Sequence, residues 1–346
     1  MDLRPISNTG KRKKCQALVP LGVVKSRLGM VMVRGVLPFG LGVVVGLMTL
    51  VSTLRPTSPS GFFVRQSGYR LIQPLLDYEV TTPAEPIADH LRSKVESLIH
   101  EKIQTQKVAQ VSVYFRDLNG GSWFGIHEHE RFAPASLLKV PLLMAYLKQA
   151  ESDSHLLTQR LAYQGPQQAK PNIHPSRVIE TGKFYPVEEL LSRMIVYSDN
   201  LAMATLVAHI NQEVLNQTFT DLGIASPTDQ QPDAAVSVKE YATFFRILFN
   251  ASYLSREMSE KALDYLTRVE FKRGLAAGVP SNIVVAHKFG ERAMEHVSAT
   301  QFHDCGIVYC PSRPYLLCIM TSDHDVKELI KTTEGISRLV YHEVCQ

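Results

Sequence analysis

Three short stretches carry side chains able to break an amide or ester bond: "ASLLK", with Ser136 and Lys139; "YSDN", with Ser198, Asp199 and Asn200; and "HKFGE", with Lys288 and Gly290. A serine hydroxyl is a poor nucleophile until a base takes its proton, and a lysine amine can serve once its surroundings keep it neutral. Residues three apart share one face of a helix, so Lys139 can bring its amine to Ser136. A helix N-terminus there would also offer unpaired backbone N–H groups to a developing oxyanion. Each stretch has a plain structural reading too. Serine is a preferred N-cap, so Ser136 is expected to cap the apolar helix that follows, and Pro141 to bend that helix just past the lysine. Residues 198–200 read as a cap between two apolar helical runs, or as a second hydroxyl, Ser198, that relays a proton beside an Asn200 amide that binds a substrate carbonyl. Lys288 ends a strand, where a lysine is ordinarily solvated, and Gly290 lets backbone or ligand approach closely. The three pieces in this order, each at the end of a fitting element, are hard to obtain by accident.

The elements around them are legible from pattern. With 346 residues and 45% hydrophobic content, the chain can hold one domain of about 250 residues plus extras. Ile87, Leu91, Val95, Leu98 and Ile103 recur at helical spacing. "VAQVSVYFRDL", with Val111, Val113 and Phe115 alternating, turns through "NGG" into "SWFGIHEH", a β-hairpin. Residues 136 to about 280 are mostly helical in pattern, as in "PVEELLSRMIV" and "SVKEYATFFRILFN". Strands return in "SNIVVAHKF", "HDCGIVYC" and "PYLLCIMTS", and "DVKELIKTTEGISRLVYHEV" closes the chain as a helix. The order predicts an α/β (α+β) fold: an antiparallel sheet flanked by helices, with an all-helical subdomain inserted between its second and third strands, over residues 87–346.

Ahead of that domain, residues 1–34 carry eight Lys/Arg against Asp2 alone, which leaves the other residues slightly acidic within a net charge of +4. A nucleic-acid partner is therefore not expected. The next twenty residues, "GVLPFGLGVVVGLMTLVSTL", Gly35 to Leu54, have no charge and would make about 30 Å of helix, one membrane span. Lys11, Arg12, Lys13, Lys14, Lys25, Arg27 and Arg34 precede it, so residues 1–34 are expected to be a cytoplasmic tail, and everything after Arg55 extracytoplasmic. A cleaved signal peptide is the rival reading, but the run is long for one and no small-x-small site follows cleanly. "KRKK" beside such a span is an orientation signal rather than a nuclear address. Residues 55–86, punctuated by Pro56, Pro59, Pro74, Pro83 and Pro86, read as a stalk.

Cys15, Cys305, Cys310, Cys318 and Cys345 form no pair of CxxC units, and their spacing dictates no disulfides. "HEHE" at 127–130 looks like a metal tract, but it lies where polar residues follow a strand; no metal and no organic cofactor is expected. Nothing reads as an oligomerisation seam, so a monomer is expected.

With these residues in place, the chain resembles the penicillin-recognising serine acyl hydrolases, and most closely the class A β-lactamases, whose motif trio is Ser-x-x-Lys, Ser-Asp-Asn and Lys-x-Gly. The resemblance covers roughly residues 87–346 and includes "RFAPASLLKVPLL", "ELLSRMIVYSDNLAMATLV" and "AHKFGE" followed by "HDCGIVY". It implies an α/β domain beside an all-α domain with the site between them. It also implies that Ser136 is acylated, Lys139 helps remove its proton, and Ser198 passes the proton to the leaving nitrogen. Asn200 would bind the substrate's side-chain amide, Lys288 would attract its carboxylate, Gly290 would complete the substrate-binding strand, and the backbone N–H groups of Ser136 and Glu291 would form the oxyanion hole.

Two departures bear on what such a site does. Class A enzymes carry a glutamate, on a loop between the second and third motifs, that activates the deacylating water. Here "DLGIASPTDQQPDAAVSVKEY" offers Asp229 and Asp233 and no glutamate before Glu240, inside the next helix-like segment. Deacylation is therefore expected to be slow. Phe289 stands where the family has Thr or Ser, and the lost hydrogen bond to a carboxylate is worth about 1.5–3 kcal/mol, some ten- to a hundred-fold in affinity. Three readings follow: a membrane-anchored serine hydrolase acting on β-lactams or a related acyl compound; a D-alanyl-D-alanine carboxypeptidase or other penicillin-binding peptidoglycan enzyme with slow deacylation; or a catalytically silent, anchored binding module.

Overall fold

The computed structural model describes residues 69–74, 86–165, 178–224, 236–294, 299–311 and 313–346. The expected tail, the candidate span 35–54 and the acidic candidates Asp229 and Asp233 lie outside them. Among the described residues no helix is long and apolar enough to cross a membrane.

Helix α1 (Pro86–Gln104) buries Ala88, Leu91, Val95 and Ile99, a stripe at three- and four-residue spacing, whereas Ile103 in its last turn is 38% exposed. Strands β1 (Gln110–Asp117) and β2 (Trp123–Ile126) form the expected hairpin. Asp117 organises its turn by accepting from the Asn119 and Gly120 N–H groups, and Gly121 supplies the positive φ of 76°. After β3 (Arg131–Phe132), a 3-10 helix (Ala135–Leu138) leads into α2 (Lys139–Ala150). Helix α2 is nearly all buried, its polar residues confined to Lys139 at its start and Lys148 and Gln149 near its end, as befits a helix at the centre of a helical layer. Pro141 lies in its first turn, where a missing N–H removes no intrahelical bond, so the helix continues to Ala150.

The chain then runs through β4 (Arg160–Ala162), β5 (Phe184–Pro186), α3 (Val187–Val196), α4 (Asn200–His209) and α5 (Gln212–Asp221). Next come β6 (Val236–Ser237), α6 (Val238–Asn250) and α7 (Arg256–Thr267). Strands β7 (Val285–Met294), β8 (Ala299–Val308) and β9 (Tyr315–Asp323) complete the sheet, and α8 (Val326–Cys345) ends the chain. The sheet is antiparallel, ordered β2-β1-β9-β8-β7, so the helical block does enter between its second and third strands. Two ribbons, β3 with β6 and β4 with β5, have strands of two or three residues, too short to show a period in sequence.

Residues 69–74, within the expected stalk, instead pack on the domain. Leu71 and Ile72 are buried, and the Glu260 carboxylate accepts from the backbone N–H groups of Arg70, Leu71 and Ile72. The four described cysteines pair as Cys305–Cys318, across β8 and β9, and Cys310–Cys345, which ties the end of α8 to the chain after β8.

Candidate active site

The turn that carries Ser136 is fixed from both ends. Before it, the Ala133 N–H donates to Gln301 Oε1 at 2.9 Å, and the Ala133 carbonyl lies 3.1 Å from Nε2 of His303, which accordingly carries the proton there. Burial lowers His303 to about 4, so it is a neutral donor. Inside the turn, the Tyr241 hydroxyl donates to the Leu137 carbonyl at 2.9 Å. Ala135 adopts φ 50°, the left-handed region, which an alanine occupies only when its surroundings hold it there. Edge strand β7 closes over the turn at Gly290: a Cβ there would sit 3.1 Å from the Pro134 carbonyl oxygen and 3.3 Å from the Ser136 nitrogen. A side chain at 290 would thus need the Ser136 turn to give by a few tenths of an ångström, and Glu291 follows Gly290 on the strand that borders Ser136. Ser136 makes no cap: the 3-10 helix has Pro134 at its N-cap with no side-chain bond, which frees the hydroxyl for Lys139.

Lys139 is fully buried. Its Nζ lies 2.8 Å from Ser136 Oγ, 2.7 Å from Asn200 Oδ1, and 3.1 Å from both the hydroxyl and the carbonyl oxygens of Ser198. Burial lowers its pKa to about 7, against a smaller opposing pull from Asp199. An amine poised there can be neutral at neutral pH and take the Ser136 proton. Ser198 Oγ also lies 3.2 Å from Ser136 Oγ, so the two hydroxyls and the amine form a closed path for that proton.

The junction between α3 and α4 delivers the second stretch. Ser198 has φ 54°, a kink that turns its side chain out between the helices. Asp199 is the cap of α4, accepting from Leu201 and Ala202 N–H groups, and it also accepts from Ile179 N–H. The cap and the catalytic readings of this stretch therefore belong to different residues: Asp199 caps, while Ser198 and Asn200 face Lys139.

Lys288, on β7, reaches Ser198 from the other side, its Nζ 3.0 Å from Ser198 Oγ and 2.8 Å from the Phe289 carbonyl. It is fully buried, with the Phe289 ring 4.2 Å from Nζ. Its pKa is pushed well down by burial and by the neighbouring Lys139 amine, against an opposing pull from Asp304. Expected to be solvated at a strand end, it is instead enclosed, because the helical layer closes over this edge of the sheet. Phe289 is 2% exposed and stacks on Phe271 with ring centroids 4.1 Å apart.

The structure therefore brings Ser136, Lys139, Ser198, Asn200, Lys288 and Gly290 to one place. Tyr241, Gln301 and His303, which hold the turn, carried no local signal, since their partners lie more than 100 residues away. Glu240 is committed elsewhere: it forms the capping box of α6 with Ser237 and pairs with Arg131. In the "HEHE" tract, His127 lies against the Val111 carbonyl, and among the described residues no group of three or more metal-type side chains converges.

Comparison with known proteins agrees with this geometry. Residues 90–344 match the model of the "Beta-lactamase enzyme family". β-Lactamase VEB-1 of Pseudomonas aeruginosa is 24% identical over 242 residues, 65% of this chain and 79% of that protein. CTX-M-4 of Salmonella typhimurium is 40% identical over 81 residues, 23% of this chain and 27% of that β-lactamase. A mutant of PBP-A solved as an acyl-enzyme complex with penicillin G superposes with a TM-score of 0.63 at 23% identity, covering 75% of this chain and 98% of that one. The matched family model spans both the helical layer and the sheet that enclose Ser136, and the chain belongs to the β-lactamase enzyme family as a serine β-lactamase-like hydrolase.

Proposed function

We propose that the chain is acylated at Ser136 by β-lactams or a related acyl compound and releases the product slowly. The observation that carries this is the buried Lys139 amine 2.8 Å from the Ser136 hydroxyl. Neutral Lys139 takes the hydroxyl proton as Ser136 Oγ bonds to the carbonyl carbon. The backbone N–H groups of Ser136 and Glu291 receive the oxyanion, the carbon–nitrogen bond breaks, and Ser198 hands the proton to the leaving nitrogen. Asn200, already bonded to Lys139 through Oδ1, has its amide N–H₂ left to hold the substrate's acyl side chain. Water then adds to the ester and the proton returns to Ser136.

Slow release is supported by Glu240, whose carboxylate is engaged by Ser237 N–H and Arg131 and so is not placed to activate water. The same observation favours a penicillin-binding enzyme acting on peptidoglycan peptides as the second reading. Intact-mass measurement after mixing the full chain with a penicillin tests both: one adduct, absent in Ser136→Ala, supports acylation, and its persistence separates slow release from fast turnover. No adduct at any time overturns both readings in favour of a silent binding module.

We further infer that residues 35–54 anchor the protein and that the domain lies outside the cytoplasm. The two disulfides support this, since such bonds persist in oxidising compartments. Release from membranes by salt wash alone, without detergent, would overturn it.

A further inference from the structure

Lys288, Phe289 and Glu291 together shape the leaving-group side of the site, and their arrangement bears on which compounds fit it. A lysine that anchors an incoming carboxylate must show it an ammonium. Lys288 shows none: it has no exposed surface, and its Nζ is engaged by Ser198 Oγ at 3.0 Å and the Phe289 carbonyl at 2.8 Å. The Phe289 ring covers the amine at 4.2 Å and is itself held by stacking on Phe271, which in turn packs on Phe302. A carboxylate bound at Lys288 would have to displace this stacked ring or take the amine from Ser198. Two residues along β7, by strand alternation on the same face as Phe289, stands the exposed acid Glu291.

We propose that the leaving-group side of this site selects acyl compounds that carry a neutral ester or amide there in place of a carboxylate. The proposal rests on the acyl-serine reading above and narrows its substrate class. Lys288 then acts within the protein, holding the Ser198 hydroxyl in line between two amines, rather than as a receptor for substrate charge.

The test is the rate of Ser136 acylation of the full chain by penicillin G and by its methyl ester, followed by intact mass. The ester is expected to acylate at least as fast as the acid. Phe289→Thr, which uncovers the amine and supplies a hydroxyl, is expected to shift the ratio toward the acid by about ten- to a hundred-fold, the worth of one charge-assisted hydrogen bond. Glu291→Gln, at an exposed position that does not endanger folding, is expected to shift it the same way by a few-fold. An acid form tenfold faster than the ester in the unaltered chain would overturn the proposal, as would a ratio that Glu291→Gln and a folded Phe289→Thr leave unmoved. If neither compound modifies Ser136, the acyl-serine reading falls and this one with it; if both do and the acid is tenfold faster, only this one falls.

Discussion

Lys139 and Lys288 are both fully buried amines bonded to the same Ser198 hydroxyl, at 3.1 and 3.0 Å, yet their surroundings give them different work. Lys139 has the Ser136 hydroxyl, the Asn200 amide oxygen and a backbone carbonyl within reach, and its pKa is lowered to about 7. Lys288 meets its neighbour's carbonyl and the face of a phenyl ring, and its pKa is held well below the ordinary lysine value by burial and by the Lys139 amine. Two ammonium ions side by side in a low-dielectric interior repel strongly, so burial and the Lys139 amine both disfavour the charged form of Lys288. Burial alone does not assign a lysine its role; the polar groups around it do.

The sharpest way to break this contrast is Ser136→Ala, expected to lower acylation by roughly a thousand-fold or more as read by intact mass. Lys139→Arg should come next. A guanidinium stays protonated, so acylation should fall by about a hundred-fold or more at every pH, whereas Lys288→Arg should retain more of it. In the unaltered chain the acylation rate should fall as pH drops through about 7, because Lys139 must be neutral to act. The same shift sets the sign for stability. The unfolded chain binds the Lys139 proton up to about 10.5 and the folded one only to about 7, so this group's penalty is complete below 7 and relieved as pH rises from 7 toward 10.5. Thermal denaturation of Lys139→Met across that window should show a weaker rise.

Gly290→Ala puts a methyl group 3.1 Å from the Pro134 carbonyl oxygen, and acylation should fall about tenfold through displacement of the nucleophile's turn. Tyr241→Phe leaves the Leu137 carbonyl without its donor in a buried setting, a loss of about 1–3 kcal/mol by denaturant titration. Smallest of all, Glu240→Ala should cost about 1 kcal/mol through the α6 cap while leaving the lifetime of the acyl-enzyme unchanged. A changed lifetime would make Glu240 a water-activating group.

Local pattern carried much of this. The hairpin, the helices over 187–196 and 238–250, and the three C-terminal strands all have periodicity, turn or capping residues within a few positions of one another. The first two motifs are visible for the same reason, since Ser136 with Lys139, and Asp199 with its cap, are contacts inside single turns. The supports of the nucleophile were not visible. Gln301, His303 and Tyr241 read as ordinary strand and helix residues until the fold sets them against Ala133 and Leu137. Nor did spacing pair the cysteines, because strand register and the end of α8 decide which sulfurs meet.

By itself the sequence determined the layer order, the positions of the helical block and the sheet, and the residue types that can attack a carbonyl, because these depend on interactions over a few residues. Only the tertiary structure decided what those residues are. It buried both lysines around one hydroxyl, pressed Gly290 on the Ser136 turn, and laid Phe289 over Lys288. Charge state and accessibility follow from everything packed around a group, and that packing is assembled from segments far apart along the chain.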